Sequence, residues 1–150
     1  MPQLTPLDHF ITHFDRGLRT LFGPPLGTGR VNPAQAAPDA ELTEAEKHLS
    51  VRLMRVNHAG EVSAQALYQG QALTAHTAAV RDNMKQSALE ENDHLVWCKG
   101  RISELDGHLS WLNPLWYTGS LTLGAMAGAA GDKWSLGFVA ETERQVIKHL

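Results

Sequence analysis

The five residues Glu90-Glu91-Asn92-Asp93-His94 lie within a long helical pattern, and some of their polar side chains fall at positions where a helix normally buries apolar ones. The pattern predicts a helix from about Val80 to Leu105, with an apolar stripe formed by Met84, Ala88, Leu95, Cys98, Ile102 and Leu105. Glu91 lies at the centre of this stripe, and His94 is rotated from it by only about 60° at 3.6 residues per turn. We therefore expect Glu91 and His94 to point into the core, and Glu90 and Asp93 to face solvent.

Two further helices carry a carboxylate among residues that should face inward. A helix predicted from about Trp134 onward has Glu143 in the middle of its apolar face, whereas Glu141 shares its side with charged residues. A long helix predicted from about Glu44 to Ala75 opens with the capping-box spacing of Thr43 and Glu46. It carries Glu61 in a polar patch with Asn57, His58, Gln65 and Tyr68, and here the helical pattern is less decisive.

Inward carboxylates are costly unless a cation or a metal ion compensates them. Few basic residues share these faces, and carboxylates with an imidazole suit iron or manganese better than zinc. Di-iron bundles use one Glu from each of two helices and Glu-x-x-His from each of two others. This chain offers Glu61, Glu143 and the pair Glu91-x-x-His94, so one Glu-x-x-His helix is missing. A single Glu-x-x-His also occurs by chance on solvated helices, so a metal-free bundle stays open at this point.

The rest of the chain divides into three parts. Residues 1–22 predict an amphipathic helix, from Leu4 to Phe22, that either docks on the core or lies on a membrane surface. Residues 23–40 are rich in Pro, Gly and Ala and predict a linker. Residues 41–150 form the helical domain. Within it, Gly107 to Gly131 has no Asp, Glu, Lys or Arg, and we expect a buried or interfacial apolar hairpin there, because Pro114 and glycines interrupt it.

Composition restricts the class of protein. The chain has 150 residues, of which 43% are hydrophobic and 19% charged, which excludes a disordered chain. Its formal net charge of -3 gives no electrostatic basis for binding nucleic acid. One cysteine, Cys98, permits no internal disulfide, and we expect it to be a core thiol.

Several motifs resemble a known family. Residues 55–61 (RVNHAGE) and 90–94 (EENDH) are similar to the 3-demethoxyubiquinol 3-hydroxylases of ubiquinone biosynthesis. Residues 112–117 (LNPLWY) and 138–143 (FVAETE) are similar to the bacterial members of that family. The resemblance extends over roughly residues 42–150. The family's last Glu-x-x-His lies on a further helix, so we interpret the chain as truncated at its C-terminus.

The resemblance implies an all-α, ferritin-like helical bundle, here without its last ligand-bearing helix. Its metal ligands carry over to Glu61, Glu91, His94 and Glu143, which would hold two non-haem iron ions together with the missing helix. Glu91 would bridge the two irons, and His94 would bind one of them. The family adds an oxygen atom from O₂ to the ring of a polyprenyl demethoxyquinol.

Partners and a location are also expected. The resemblance suggests an electron donor such as NADH, and the net charge argues against nucleic acid as a partner. The uncharged segment and the amphipathic N-terminal helix predict a peripheral position on a membrane, on the cytoplasmic face of a bacterial cell membrane, and apolar faces left uncovered by the missing helix indicate a possible homo-oligomer. We expect the truncated chain to be inactive alone. Two alternatives remain at the level of sequence: a non-catalytic iron-binding bundle, and a metal-free helical protein that associates with membranes.

Overall fold

The computed structural model describes residues 5–24, 26–38 and 40–149, and this part of the chain is helical without strands. The predicted all-α class is confirmed. Five α-helices follow one another, with a short 3-10 turn at Pro33–Ala36 before the second; they are α1 (Pro6–Phe22), α2 (Glu44–Thr74), α3 (Ala78–Glu104), α4 (Asn113–Ala129) and α5 (Asp132–His149).

Helix α2 is the centre of the fold, because α3 and α4 both pack along it. One core cluster joins α2 to α3 through Tyr68, Ala72, Ala75, Val80, Met84 and Ala88. A second joins α2, α3 and α4 through Val62, Ala66, Leu95 and Tyr117. The predicted ends of α2 and α3 agree with the structure to within two residues. The capping box of Thr43 and Glu46 forms at the N-terminus of α2, as predicted. Helix α3 ends just before Asp106, which has a positive φ of 55°.

The hairpin expected in residues 107–131 is wrong, because most of this segment is the single helix α4. Pro114 lies in the first turn of α4, where its missing N–H costs nothing. Gly124 of α4 and Gly70 of α2 serve packing: a Cβ on Gly124 would overlap the carbonyl oxygen of Leu67, and a Cβ on Gly70 would overlap that of Leu121. These glycines therefore allow the backbones of α2 and α4 to lie in direct contact.

Helix α1 docks on the bundle through one side. Among its residues whose burial the structure describes, Gly17 and Thr20 are buried, Gly17 lies directly against the ring of Tyr117 on α4, and Leu21 packs against the core cluster of α2, α3 and α4. The exposed side carries Leu7, Ile11, Phe14 and Leu18, each more than 40% exposed. Leu4, the predicted first residue of this helix, and the side chain of Phe10 lie outside the described residues.

Helix α5 is only partly covered by the rest of the bundle. Val139 packs against the cluster between α2 and α3, but Leu136, Phe138 and Ile147 are exposed. The apolar face predicted for α5 is therefore largely solvent-accessible; the side chain of Val146 and all of Leu150 lie outside the described residues. Within the described residues, no helix is both long and apolar enough to cross a membrane.

Candidate metal centre

Glu61 and the pair Glu91–His94 come together where α2 packs against α3. Nδ1 of His94 lies 3.0 Å from Oε2 of Glu91 and 3.6 Å from Oε2 of Glu61. One ligand atom from each of the three residues lies within 4.8 Å of the others, a spacing at which all three can bind one metal ion. Three of the four residues predicted from sequence thus form one cluster, and the prediction that Glu91 and His94 point the same way is confirmed.

In this cluster two carboxyl groups lie close together, and the positive charge around them is too small to compensate two negative charges. Burial, together with the hydrogen bond and the charge of Glu91, raises the pKa of Glu61 to about 8. Burial also raises the pKa of Glu91. Metal-free, the pair favours a shared proton over two negative charges, and a divalent cation would remove that conflict. Two carboxylates and an imidazole are a donor set that fits iron or manganese.

Glu143 lies near the cluster without joining it. It accepts a hydrogen bond from the phenol of Tyr68 on α2, which shows that it faces the bundle, although the residue itself is exposed. Tyr68 is 2% exposed, and burial followed by the contact with Glu143 raises its pKa. A role for Tyr68 was not predicted, but its position seven residues after Glu61, on the same face of α2, is a signal that could have indicated one.

Asp93 contradicts the prediction that it faces solvent: it is 3% exposed. Its carboxylate accepts hydrogen bonds from the backbone N–H groups of Thr28 and Gly29, from the hydroxyl of Thr28 and from Nε of Arg30. Burial favours protonation of Asp93, but these bonds outweigh it and hold the pKa below its usual value. The helical pattern of α3 could not reveal this, because the segment that covers Asp93 is more than 60 residues away in sequence.

Two other polar residues lie on the helices that carry the three clustered residues. His58 is 2% exposed, and burial, with Lys99 nearby, lowers its pKa to about 4, so it is a neutral residue within the fold; its Nδ1 lies 3.4 Å from Nδ2 of Asn113. Burial, with the charges of Glu61 and Glu91, raises the pKa of the Cys98 thiol to about 11. Cys98 is partly buried, and such a pKa keeps it in the thiol form at neutral pH.

An all-helical bundle with two carboxylates and an imidazole converging between helices is the arrangement that carboxylate-ligated proteins of the ferritin-like type use. The profile of the family "Ubiquinone biosynthesis protein COQ7" matches residues 48–150. The chain belongs to this family, whose members are ferritin-like di-iron hydroxylases.

Curated relatives agree with the family assignment. The chain is 59% identical over 148 residues to the 3-demethoxyubiquinol 3-hydroxylase of Nitrosococcus oceani, an alignment that covers 99% of this chain and 69% of that protein. It is 59% identical to the enzyme of the same name from Chromobacterium violaceum, covering 96% of this chain and 69% of the relative. With that of Legionella pneumophila it shares 57% identity, covering 96% and 68%. No solved structure matches the chain significantly.

Proposed function

We propose that this chain provides the metal-binding core of a 3-demethoxyubiquinol 3-hydroxylase. The observation that carries the proposal is the cluster of Glu61, Glu91 and His94 at metal-binding spacing, in a chain that is 59% identical to curated enzymes of that name. The substrates would be a polyprenyl demethoxyquinol and O₂, with electrons from a donor such as NADH. Bound iron would supply the activation of O₂.

The side chains of this chain have distinct tasks in that proposal. Glu61, Glu91 and His94 would hold one iron, and Glu91 and Glu143 would contribute to a second. Burial favours the protonated form of Glu61, but a metal ion binds the carboxylate. Metal binding would therefore release a proton from Glu61. Tyr68 holds Glu143 toward the bundle through its phenol. Val62 and Leu95, both at most 1% exposed, belong to the core cluster next to the three ligands and exclude water from that side.

A peripheral location on a membrane completes the proposal. A polyprenyl quinol partitions into the bilayer, so the enzyme must approach the membrane surface. The exposed apolar side chains of α1 and α4 supply a means of contact. Those of α4 are Leu115, Trp116, Leu123 and Met126, and Trp111 and Leu112 come directly before the helix. We place the protein on the cytoplasmic face of a bacterial cell membrane.

Metal analysis combined with turnover tests the proposal. The wild-type chain, loaded anaerobically with Fe²⁺, should retain iron, and Glu91→Gln should lose most of it because Glu91 is the residue common to both sites. Glu90→Gln is the matched control, since Glu90 is exposed on the same helix and should leave iron retention unchanged. Hydroxylation is assayed with a short-tailed demethoxyquinol, O₂ and NADH, beside the longer Nitrosococcus oceani relative.

The outcomes separate the candidate functions. Iron retention that depends on Glu91, with hydroxylated product, supports the hydroxylase. Retention by the chain without product formation, while the relative is active, indicates an iron-binding bundle that cannot turn over as a 150-residue chain. Equal iron content in Glu91→Gln and wild type would refute the site.

A further inference from the structure

A cavity of about 990 Å³ lies beneath α1, between that helix and α2, α3 and α4. Ligand-binding cavities in proteins commonly have volumes of about 300–1,000 Å³. Helix α3 contributes the two cations Arg81 and Lys85 to the lining, whereas α4 contributes the uncharged residues Tyr117, Thr118 and Leu121. The cavity is therefore amphipathic, with a cationic side at α3 and an uncharged side at α4.

Helix α1 lies over the cavity with the same division. Arg16 lines it and also lines a neighbouring cavity of about 370 Å³, whose other walls are mainly residues of α2 and α3. Phe14 and Leu18 line the larger cavity too, and each is two positions from Arg16, about 160° away around the helix. These two residues are 59% and 43% exposed. Arg16 therefore lies on the α3 side of the cavity, and an exposed apolar rim lies on the α4 side.

The positive charges of the cavity are largely uncompensated. Within the described residues, no Asp or Glu lines it, and neither Arg16 nor Arg81 forms an ion pair. Nη2 of Arg81 donates to the carbonyl oxygen of Ala75 at 2.8 Å, which holds the guanidinium at the turn between α2 and α3 and leaves its charge in place. Lys85 lies 3.6 Å from Asp82, but the two side chains are 46% and 74% exposed, so water weakens their attraction. An anion in the cavity would therefore meet cations.

We propose that this cavity binds one anionic phospholipid, with its phosphate between Arg16 and Arg81 and its acyl chains along the apolar rim toward α4. The planar guanidinium matches the geometry of a phosphate group, and the rim favours a ligand with an apolar part. The chain has a formal net charge of -3, so its overall field does not attract an anionic bilayer, and a preference for anionic lipid must come from these local cations. The inference rests on the proposed peripheral membrane location.

The experiment measures flotation of the chain with two kinds of vesicle, phosphatidylcholine alone and equimolar phosphatidylcholine and phosphatidylglycerol. A cation near an anionic membrane surface commonly changes partition by about fivefold, so wild type should bind the mixed vesicles about fivefold or more tightly than phosphatidylcholine. The double variant Arg16→Gln and Arg81→Gln should lose this gain and still bind phosphatidylcholine as wild type does. Arg16→Gln alone, at an exposed position where the fold should tolerate it, should lose part of the gain.

The matched control is the double variant Arg52→Gln and Arg144→Gln. It changes the net charge by the same amount at two exposed positions away from the cavity, and it should keep most of the gain. An equal loss of the gain in both double variants would show general charge attraction and overturn the proposal. Melting temperatures close to that of wild type verify that each variant is folded.

Inorganic phosphate distinguishes a lipid from a free anion. Added at an ionic strength matched with chloride, it should compete little, because it has no apolar part to contact the rim. Loss of the gain with phosphate but not with chloride would assign the cavity to free phosphate and overturn the lipid proposal. If wild type binds both kinds of vesicle equally, the cavity has no role in lipid selection, while the membrane location stands. If wild type binds neither kind, the membrane location fails as well.

Discussion

Glu61 is a carboxyl group whose surroundings favour its protonated form in the folded, metal-free chain. The group titrates near 4.5 when unfolded and at about 8 in the fold. Between these values the folded chain binds more protons than the unfolded chain, so this group's contribution to stability falls as the pH rises from about 4.5 to 8. His58 acts in the opposite direction, since its pKa is lowered from 6.5 to about 4, and its contribution rises with pH between those values.

Because the two residues oppose each other, the contribution of Glu61 is measured as a difference between variants. We predict that Glu61→Gln, which cannot titrate, gains stability relative to wild type by a few kcal/mol as the pH is raised from 5 to 8. The measurement is urea unfolding of the chelator-treated chains at both pH values. Glu90→Gln, at an exposed position of α3, should follow wild type. Parallel pH profiles for Glu61→Gln and wild type would contradict the buried-pair description.

Residue-scale reasoning from sequence was successful where a single helix decides the direction of a side chain. Glu91 and His94 are three residues apart on one helix, so their common direction follows from helix geometry. The prediction that Asp93 faces solvent is wrong because residues 26–30 cover it, and this segment has no regular periodicity. Glu143 was correctly directed toward the bundle, but its hydrogen bond to Tyr68 depends on how α5 packs against α2, which no local pattern specifies.

At the scale of elements, the glycines of α4 show why the sequence of residues 107–131 predicts a hairpin that the structure does not contain. Glycine in a sequence suggests a turn, and in residues 107–131 it suggested a hairpin. In the structure, Gly124 and Gly128 are buried against α2 and carry no turn. Sequence alone does not distinguish a glycine that bends the chain from one that admits a neighbouring backbone, because the difference lies in the partner helix.

This packing predicts opposite effects for two glycine substitutions on one helix. Gly124→Ala places a methyl group against the carbonyl oxygen of Leu67 and should cost about 2 kcal/mol or more, because backbone cannot move aside as a flexible side chain can. Gly119→Ala meets no atom within 4 Å and should stabilise the chain by roughly 0.5–1 kcal/mol through helix propensity. Urea unfolding of both variants measures the difference. A Gly124→Ala chain as stable as Gly119→Ala would show that α4 does not lie this close to α2.

At the scale of the whole molecule, apolar side chains are exposed on every one of the five helices, and those of α1, α4 and α5 differ in their surroundings. Those of α1 form one face of an amphipathic helix whose opposite side carries Asp8, Asp15, Arg16 and Arg19, two acidic and two basic residues. Those of α4 belong to a helix without charged residues. Those of α5 lie next to the charged residues Lys133, Glu141, Arg144 and Lys148.

If α1 contacts the membrane, its apolar face must control vesicle binding. We predict that the double substitution Leu7→Asp and Ile11→Asp lowers the partition of the chain onto phosphatidylcholine vesicles by about tenfold or more, since losing about 1.4 kcal/mol of apolar burial already gives a factor of ten. Both residues are more than half exposed, so the fold should tolerate the change. Binding should depend little on salt, because the charges on the polar side of α1 balance.

A control on α5 decides between specific membrane contact and general apolar adhesion. Ile147 is 72% exposed, more than either residue changed on α1, and Ile147→Asp should leave vesicle binding unaltered while reducing any self-association of the chain in solution. Co-sedimentation with vesicles and sedimentation velocity without them give the two readouts. Should Ile147→Asp weaken vesicle binding as much as the α1 variant does, adhesion follows total exposed apolar area, and α1 has no special role as the membrane-facing helix.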